Sequence, residues 1–351
     1  MNASTQNIEE VVSPADWRGP EISGSEHWIR ELSDMSIDEI DHALRRAEQS
    51  GLGIADLSIE TFPLPTFAND LAVMRHELEH GSGLQLYRGF PVERYSVDEL
   101  RIVYWGLAQH IGTPVTQSHR GDIIGDVRDI GVDSNSAAGR GYTSNQGLIF
   151  HCDSADVTGL FCINVAKTGG RSLIVSSVAI HKEIARTRPD LLQVLYEPYF
   201  WSWQGQERPG DKPYYTQPIF GVCGQHPTSR YIRVHIQSAQ VFDGVPQMTD
   251  AQVEALDLVD ALCAEPEFHM QMEFVPGDIQ FLNNHVTYHA RTAFKDHDEP
   301  ERKRHLLRLW LAIPNSRPLP ESFAALYRDV RPGAVRGGFP SALELPLFRT
   351  V

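Results

Sequence analysis

The chain is poor in cysteine, in basic charge and in long apolar runs, and each shortage removes a class of function. Four cysteines among 351 residues, at 152, 162, 223 and 263, form no C-x-x-C pair and no zinc-ribbon spacing. They read as buried, reduced thiols, not as a disulfide frame or a thiolate metal site. Lys and Arg number 31 against 46 Asp and Glu, a formal net charge of −15. A chain this acidic lacks the basic footprint that nucleic acid or an anionic membrane demands of its principal partner. No apolar run approaches the ~18 or more residues that span a bilayer. The opening MNASTQNIEEVV has neither the basic n-region nor the apolar h-region of a secretory leader. The expectation is a cytoplasmic protein with a small-molecule substrate, no nucleic-acid or membrane partner, and homo-oligomerisation left open.

Internal repeats, low-complexity tracts and long linkers are absent as well. What is present has ordinary globular proportions, 41% hydrophobic and 22% charged residues with 27 Gly and 22 Pro. At this length a folded chain buries about three quarters of the surface it exposes when unfolded. Residues 1–24 read as a loose, flexible arm, and 25–351 as a single domain. Its front section, 25–140, carries helical spacing at 37–50 (closed by Gly51), 68–80 and 96–110, around an alternating strand at 83–89. From about 141 to 315 short β-like runs recur between turns: Leu160–Val165, Leu173–Ser176, Tyr231–Gln237, Ile279–Leu282 and Leu306–Ala312. Helical patterns interrupt them at about 178–196 and 249–264, and 316–351 forms a C-terminal extension. Short strands so spaced suit an antiparallel barrel or sandwich, an α+β protein with a mainly β core.

Three segments carry chemistry. In Phe150-His151-Cys152-Asp153, residues two apart in an extended chain share a side, so His151 and Asp153 can converge on one metal. The second, Asn283-Asn284-His285-Val286-Thr287-Tyr288-His289, follows a strand and offers further imidazoles. The third runs from Arg302 to Trp310; as a strand it puts Arg304, Leu306, Arg308 and Trp310 on one face. Two histidines and one carboxylate that leave positions open are the facial triad of non-haem Fe(II) oxygenases. An arginine on the same face can anchor the far carboxylate of a 2-oxo acid through a charge-assisted pair.

The ordered set of His151-Cys-Asp153, Lys167-Thr-Gly-Gly-Arg-Ser172, Asn284 to Phe294 and Arg304 to Trp310 resembles the TauD/TfdA family of Fe(II)- and 2-oxoglutarate-dependent dioxygenases. The resemblance covers about 145–312, and more faintly 83–114. It implies a double-stranded β-helix (jelly-roll) with flanking helices. It further implies His151, Asp153 and His289 as ligands of Fe(II), with Ser172 and Arg304 on 2-oxoglutarate and Arg308 on the co-substrate or an anionic substrate. The expected reaction is hydroxylation of an unactivated C–H bond of a small polar or anionic molecule by O₂, with succinate and CO₂ as co-products. Desaturation uses the same triad. Tyr142, Asn145 and Gln146, just before the triad, are candidates to face substrate.

Blander readings stand beside these. A zinc hydrolase on His285-x-x-x-His289 lacks the following Glu such a motif needs, so His285 reads as a pocket wall or satisfied surface residue. A non-catalytic jelly-roll has no use for an open iron site. Asp156 sits at an odd offset from His151 and reads as pointing away from it. Trp201 and Trp203 read as core, and the charged run 296–303 as a solvated loop.

Overall fold

The computed structural model of the chain describes residues 13–131 and 144–340. Two facing sheets form its centre. The larger runs, in spatial order, Ile29–Glu31, Leu84–Arg88, Ile279–Asn283, Val157–Asn164, His305–Ala312 and Thr113–Pro114, with Gly125–Val127 also paired to His305–Ala312. The smaller is antiparallel and runs His269–Met272, Ser172–Ser176, Thr287–Arg291 and Leu148–His151. Along the chain, Leu148–His151, Val157–Asn164 and Ser172–Ser176 alternate between the sheets. His269–Met272, Ile279–Asn283, Thr287–Arg291 and His305–Ala312 repeat the alternation. That winding is a double-stranded β-helix, a jelly-roll within an α+β chain.

Period-two alternation decides which side chains enter the space between the sheets. Leu84, Leu86, Cys162, Ile174, Met270, Met272, Leu282 and Leu306 pack there. The intervening Tyr87, Phe161, Phe281, Leu307, Leu309 and Leu311 face outward into a second core beneath the front helices. Those helices span Asp34–Ser50, Phe67–His80 and Val97–Ile111. In the first, Ile37, Ile40, Leu44 and Ala47 make the buried stripe, and Gly51 closes it in the left-handed region at φ 66°. Behind the smaller sheet, Ser177–Thr187, Pro189–Leu195 and Asp250–Ala264 cover Val175 and Tyr288. Since Val175 and Tyr288 face those helices, Ser172, Ile174, His289 and Arg291 face the barrel interior.

Three sequence expectations are corrected here. The helix expected over 178–196 breaks at Arg188 (φ −142°, ψ 65°), because Pro189 donates no N–H and disfavours helical geometry in the residue before it. The β-like run Tyr231–Gln237 is largely the helix Arg233–Ala239. Its branched residues mimic strand alternation, but the buried Ile236 and Ala239 lie one helical turn apart. The flexible arm expected over 1–24 is packed structure from residue 13 onward. Ala15, Trp17 and Ile22 are buried, and the Trp17 indole donates to the Ser82 carbonyl at 2.9 Å. A buried indole carries enough apolar area to hold a short segment down.

Residues 316–340 close over the body through ionic contacts. The Arg336 guanidinium, fully buried, donates to Asp156 Oδ1 at 2.7 Å and to the Arg317 carbonyl at 2.8 Å. Asp156 Oδ1 also meets His285 Nε2 at 2.8 Å. His285 is therefore interior, not a surface residue, and Asp156 is spent on this network. Arg336→Ala is expected to lower unfolding free energy by about 3–5 kcal/mol, since it leaves a buried carboxylate short of its cation. A fall in the urea midpoint at unchanged slope checks this.

Candidate active site

The smaller sheet brings two imidazoles together by register. His289 pairs directly with His151 across neighbouring strands, and their ring centroids lie 4.4 Å apart. Asp153 follows two residues after His151, where the chain leaves the strand and turns. One ligand atom from each of His151, Asp153 and His289 falls within 4.8 Å of the others, a separation that one metal ion bridges. Among the described residues no other group of three such side chains meets this condition.

The protonation states suit a metal. His151 Nδ1 lies 2.8 Å from the Ile149 carbonyl and donates to it, which leaves Nε2 with its lone pair free for a ligand. Burial, and next the neighbouring His151, depress the His289 imidazolium to about 3, so that ring is neutral. Burial also lowers His151, against the opposing pull of Asp153. For Asp153, burial alone favours the neutral acid, but the charge of Arg308, helped by the Thr158 hydrogen bond, outweighs it and holds the carboxyl below the ordinary range. Two neutral imidazoles and one carboxylate are the donor set that iron(II) accepts while keeping positions open.

The carboxylate is fixed from several sides. Thr158 Oγ1 donates to Asp153 Oδ2 at 2.8 Å, and Arg308 Nη1 approaches Oδ1 at 3.4 Å. Arg308 in turn donates from Nε to Gln117 Oε1 at 2.7 Å, while Gln117 Nε2 donates to the Arg308 carbonyl at 2.9 Å. Asn284 fastens the turn itself. Its Oδ1 accepts the Asp153 N–H at 3.0 Å, its Nδ2 donates to the Ala155 carbonyl at 3.0 Å, and its own N–H donates to the Asp156 carbonyl at 2.9 Å. Sequence reasoning missed the roles of Thr158, Gln117 and Asn284. Asn284 stood inside a quoted motif, but nothing in the sequence says that its amide reaches back across the chain to residue 153.

Ser172 is buried on the strand next to His289. Arg304, only 4% exposed, enters just before its strand, and its Nη1 is buried with no hydrogen-bond partner among the described residues. The Arg304 N–H donates to Asp296 Oδ1 at 2.8 Å, so the charged run expected to be a solvated loop supports this residue from behind. Asn145 and Gln146 are exposed at the rim, and Tyr142 lies outside the described residues. His285 is held by Asp156 and Thr228 and does not join the cluster, which removes the zinc pairing with His289. Trp201 is buried as expected for core, stacked near Tyr215.

A jelly-roll that gathers two imidazoles and a carboxylate, with a buried guanidinium whose Nη1 has no hydrogen-bond partner among the described residues, has the build of a mononuclear iron oxygenase. The family model described as taurine catabolism dioxygenase TauD, TfdA family matches residues 48–310, and the chain belongs to that family. It is an Fe(II)- and 2-oxoglutarate-dependent dioxygenase. The chain is 33% identical over 318 residues to FR-33289 synthase of Streptomyces rubellomurinus, covering 90% of this chain and 94% of the relative. It is 30% identical over 307 residues to the taurine hydroxylase-like protein SAT17 of Stachybotrys chartarum, covering 84% and 77%. Among solved structures, asparagine oxygenase in complex with Fe(II), 3-hydroxyasparagine and succinate matches with a TM-score of 0.64 at 18% identity, over 81% of this chain and 93% of that one. The non-haem iron oxygenase OrfP with Fe, succinate and (3S)-hydroxy-L-Arg matches at 0.59 and 14%, over 81% and 94%.

Proposed function

We propose that this dioxygenase holds its iron(II) through His151, Asp153 and His289, seats the distal carboxylate of 2-oxoglutarate at Arg304 and Ser172, and hydroxylates a small polar or anionic molecule. The observation that carries this reading is the convergence of the three ligand atoms within 4.8 Å of one another, two of them on neighbouring strands of the smaller sheet. The bound iron supplies O₂ activation, with one oxygen atom going to 2-oxoglutarate, which leaves as succinate and CO₂, and the other to the substrate C–H bond.

The chain's own residues bind, orient and exclude water. Ile149 fixes the His151 tautomer, while Thr158 and Arg308 hold Asp153 as an ionised acceptor. Apolar Ile174, Leu306 and Met272 line the interior and limit the access of water to the reacting centre. Arg308, close to Asp153 and steadied by Gln117, stands where an oxyanion of substrate or co-substrate would meet it. Asn145 and Gln146 precede the ligand strand and form the proposed substrate rim. An amino acid or small acid fits this reading, and the complexes of asparagine oxygenase and OrfP with hydroxylated amino acids support that class. The four free thiols, three of them buried, accord with work in a reducing cytoplasm.

The test is anaerobic binding of Fe(II) and then 2-oxoglutarate, followed by O₂-dependent succinate release with a panel of small amino acids and carboxylates. Tight binding of both, and succinate formation raised by one member of the panel, is expected. A folded protein that binds neither iron(II) nor 2-oxoglutarate would overturn the assignment.

A further inference from the structure

A third arginine lies inside the barrel beside Arg304 and Arg308, and nothing in the mechanism above uses it. Arg291 is on the strand that carries His289, two residues further along and on the same inner face, directly opposite Ser172 in register. It is 6% exposed. Its Nη2 donates to two carbonyls of the rim, Ser144 at 2.7 Å and Gln146 at 2.6 Å. The Phe294 N–H takes the carbonyl between them, Asn145, at 3.0 Å. Three consecutive rim carbonyls are therefore tied to one short stretch, 291–294. The other two donor positions of Arg291, Nε and Nη1, are buried with no partner among the described residues.

Arg291 and Arg304 also share a neighbour. Their guanidinium carbons lie 4.8 Å and 5.2 Å from the centroid of the Phe294 ring. Among the described residues no carboxylate comes within ion-pair distance of either guanidinium, although Asp296 and Asp129 act on Arg291 from further away. Two buried cations beside one ring, with three donor nitrogens unspent between them, call for an anion with several acceptor lone pairs. A carboxylate has that capacity, and it can accept from two guanidiniums at once.

We propose that Arg291 is a positioning residue for the co-substrate, sharing the distal carboxylate of 2-oxoglutarate with Arg304 and Ser172 while its Nη2 holds the rim 144–146. The inference rests on the seat proposed above for that carboxylate. It makes the rim responsive to the co-substrate, since the guanidinium that reads the carboxylate is the one that ties the rim. Substrate would then meet an ordered edge only after 2-oxoglutarate has bound.

The experiment compares anaerobic affinities of Fe(II)-loaded protein for 2-oxoglutarate and for 2-oxopentanoate, which has the same chain length but no distal carboxylate. Arg291→Gln is expected to weaken 2-oxoglutarate about tenfold to hundredfold, the scale of one charge-assisted pair, and to leave 2-oxopentanoate unchanged. In the native chain 2-oxoglutarate is expected to slow amide exchange across 144–151, and in Arg291→Gln that slowing is lost. Arg291→Lys keeps the charge without the fork. It should retain most of the discrimination between the two acids and lose the exchange response, which keeps the test available if the neutral variant does not fold. Unchanged 2-oxoglutarate affinity, or an equal loss for both acids, overturns the proposal. Arg304→Gln run in parallel separates the two failures. If it alone loses discrimination, Arg291 is misassigned; if neither variant does, the carboxylate seat itself lies elsewhere.

Discussion

Asp153→Ala is expected to abolish hydroxylation while the fold survives. The substitution removes one of three converging donors, so its cost exceeds the ~10–100-fold that loss of an outer partner brings. Asp153 is 4% exposed and is the acceptor for both Thr158 and Arg308. The variant therefore takes away the carboxylate that the Arg308 guanidinium approaches beside the two imidazoles. Iron content, substrate-dependent succinate release and the thermal melt together check the prediction. Turnover at the native rate would mean that another carboxylate completes the site. Asp156 is the nearest in sequence, but it is already taken by His285 and Arg336.

Arg304→Ala is expected to raise the 2-oxoglutarate requirement by about one to three orders of magnitude, with iron affinity unchanged. The side chain has little freedom to be replaced by a neighbour. Gly170, at φ 74°, lies so close that a Cβ there would sit 3.3 Å from Arg304 Nε, so the turn is shaped around the guanidinium. Removing it deletes a buried cation and leaves a cavity beside Phe294. The KM for 2-oxoglutarate under saturating substrate checks this, and an unchanged value would show that Arg308 or Arg291 is the principal anchor.

Much of this was legible in the sequence where a short period governs. Spacing in an extended segment anticipated that His151 and Asp153 come together, and parity within His305–Ala312 set Leu307, Leu309 and Leu311 against the helices. Apolar spacing located the ends of the front helices at Asp34–Ser50, Phe67–His80 and Val97–Ile111 to within one turn. The helix at Arg233–Ala239 escaped because one turn of branched residues carries no decisive period. Parity favoured Asp153 over Asp156 as a ligand, yet the chain has left the strand by then, and the partners His285 and Arg336 are what take Asp156 up. Those partners lie far along the chain, as do Gln117 for Arg308 and Asn284 for Asp153. Contacts of that range leave no local signature, so only the folded arrangement discloses them.

The closing segment has a practical meaning for anyone shortening or tagging this enzyme. Gly338 donates its N–H to the Ser154 carbonyl at 2.6 Å, and Thr116 donates its hydroxyl to the Phe339 carbonyl. At Gly337 a Cβ would sit 2.7 Å from the Ser154 oxygen. Ser154 is the residue after Asp153. A stretch that looks dispensable by position is thus a clasp on the loop that presents the carboxylate. A chain cut near residue 330 would lose this clasp together with the Arg336–Asp156 pair, and bulk at 337 would push on the loop that carries Asp153.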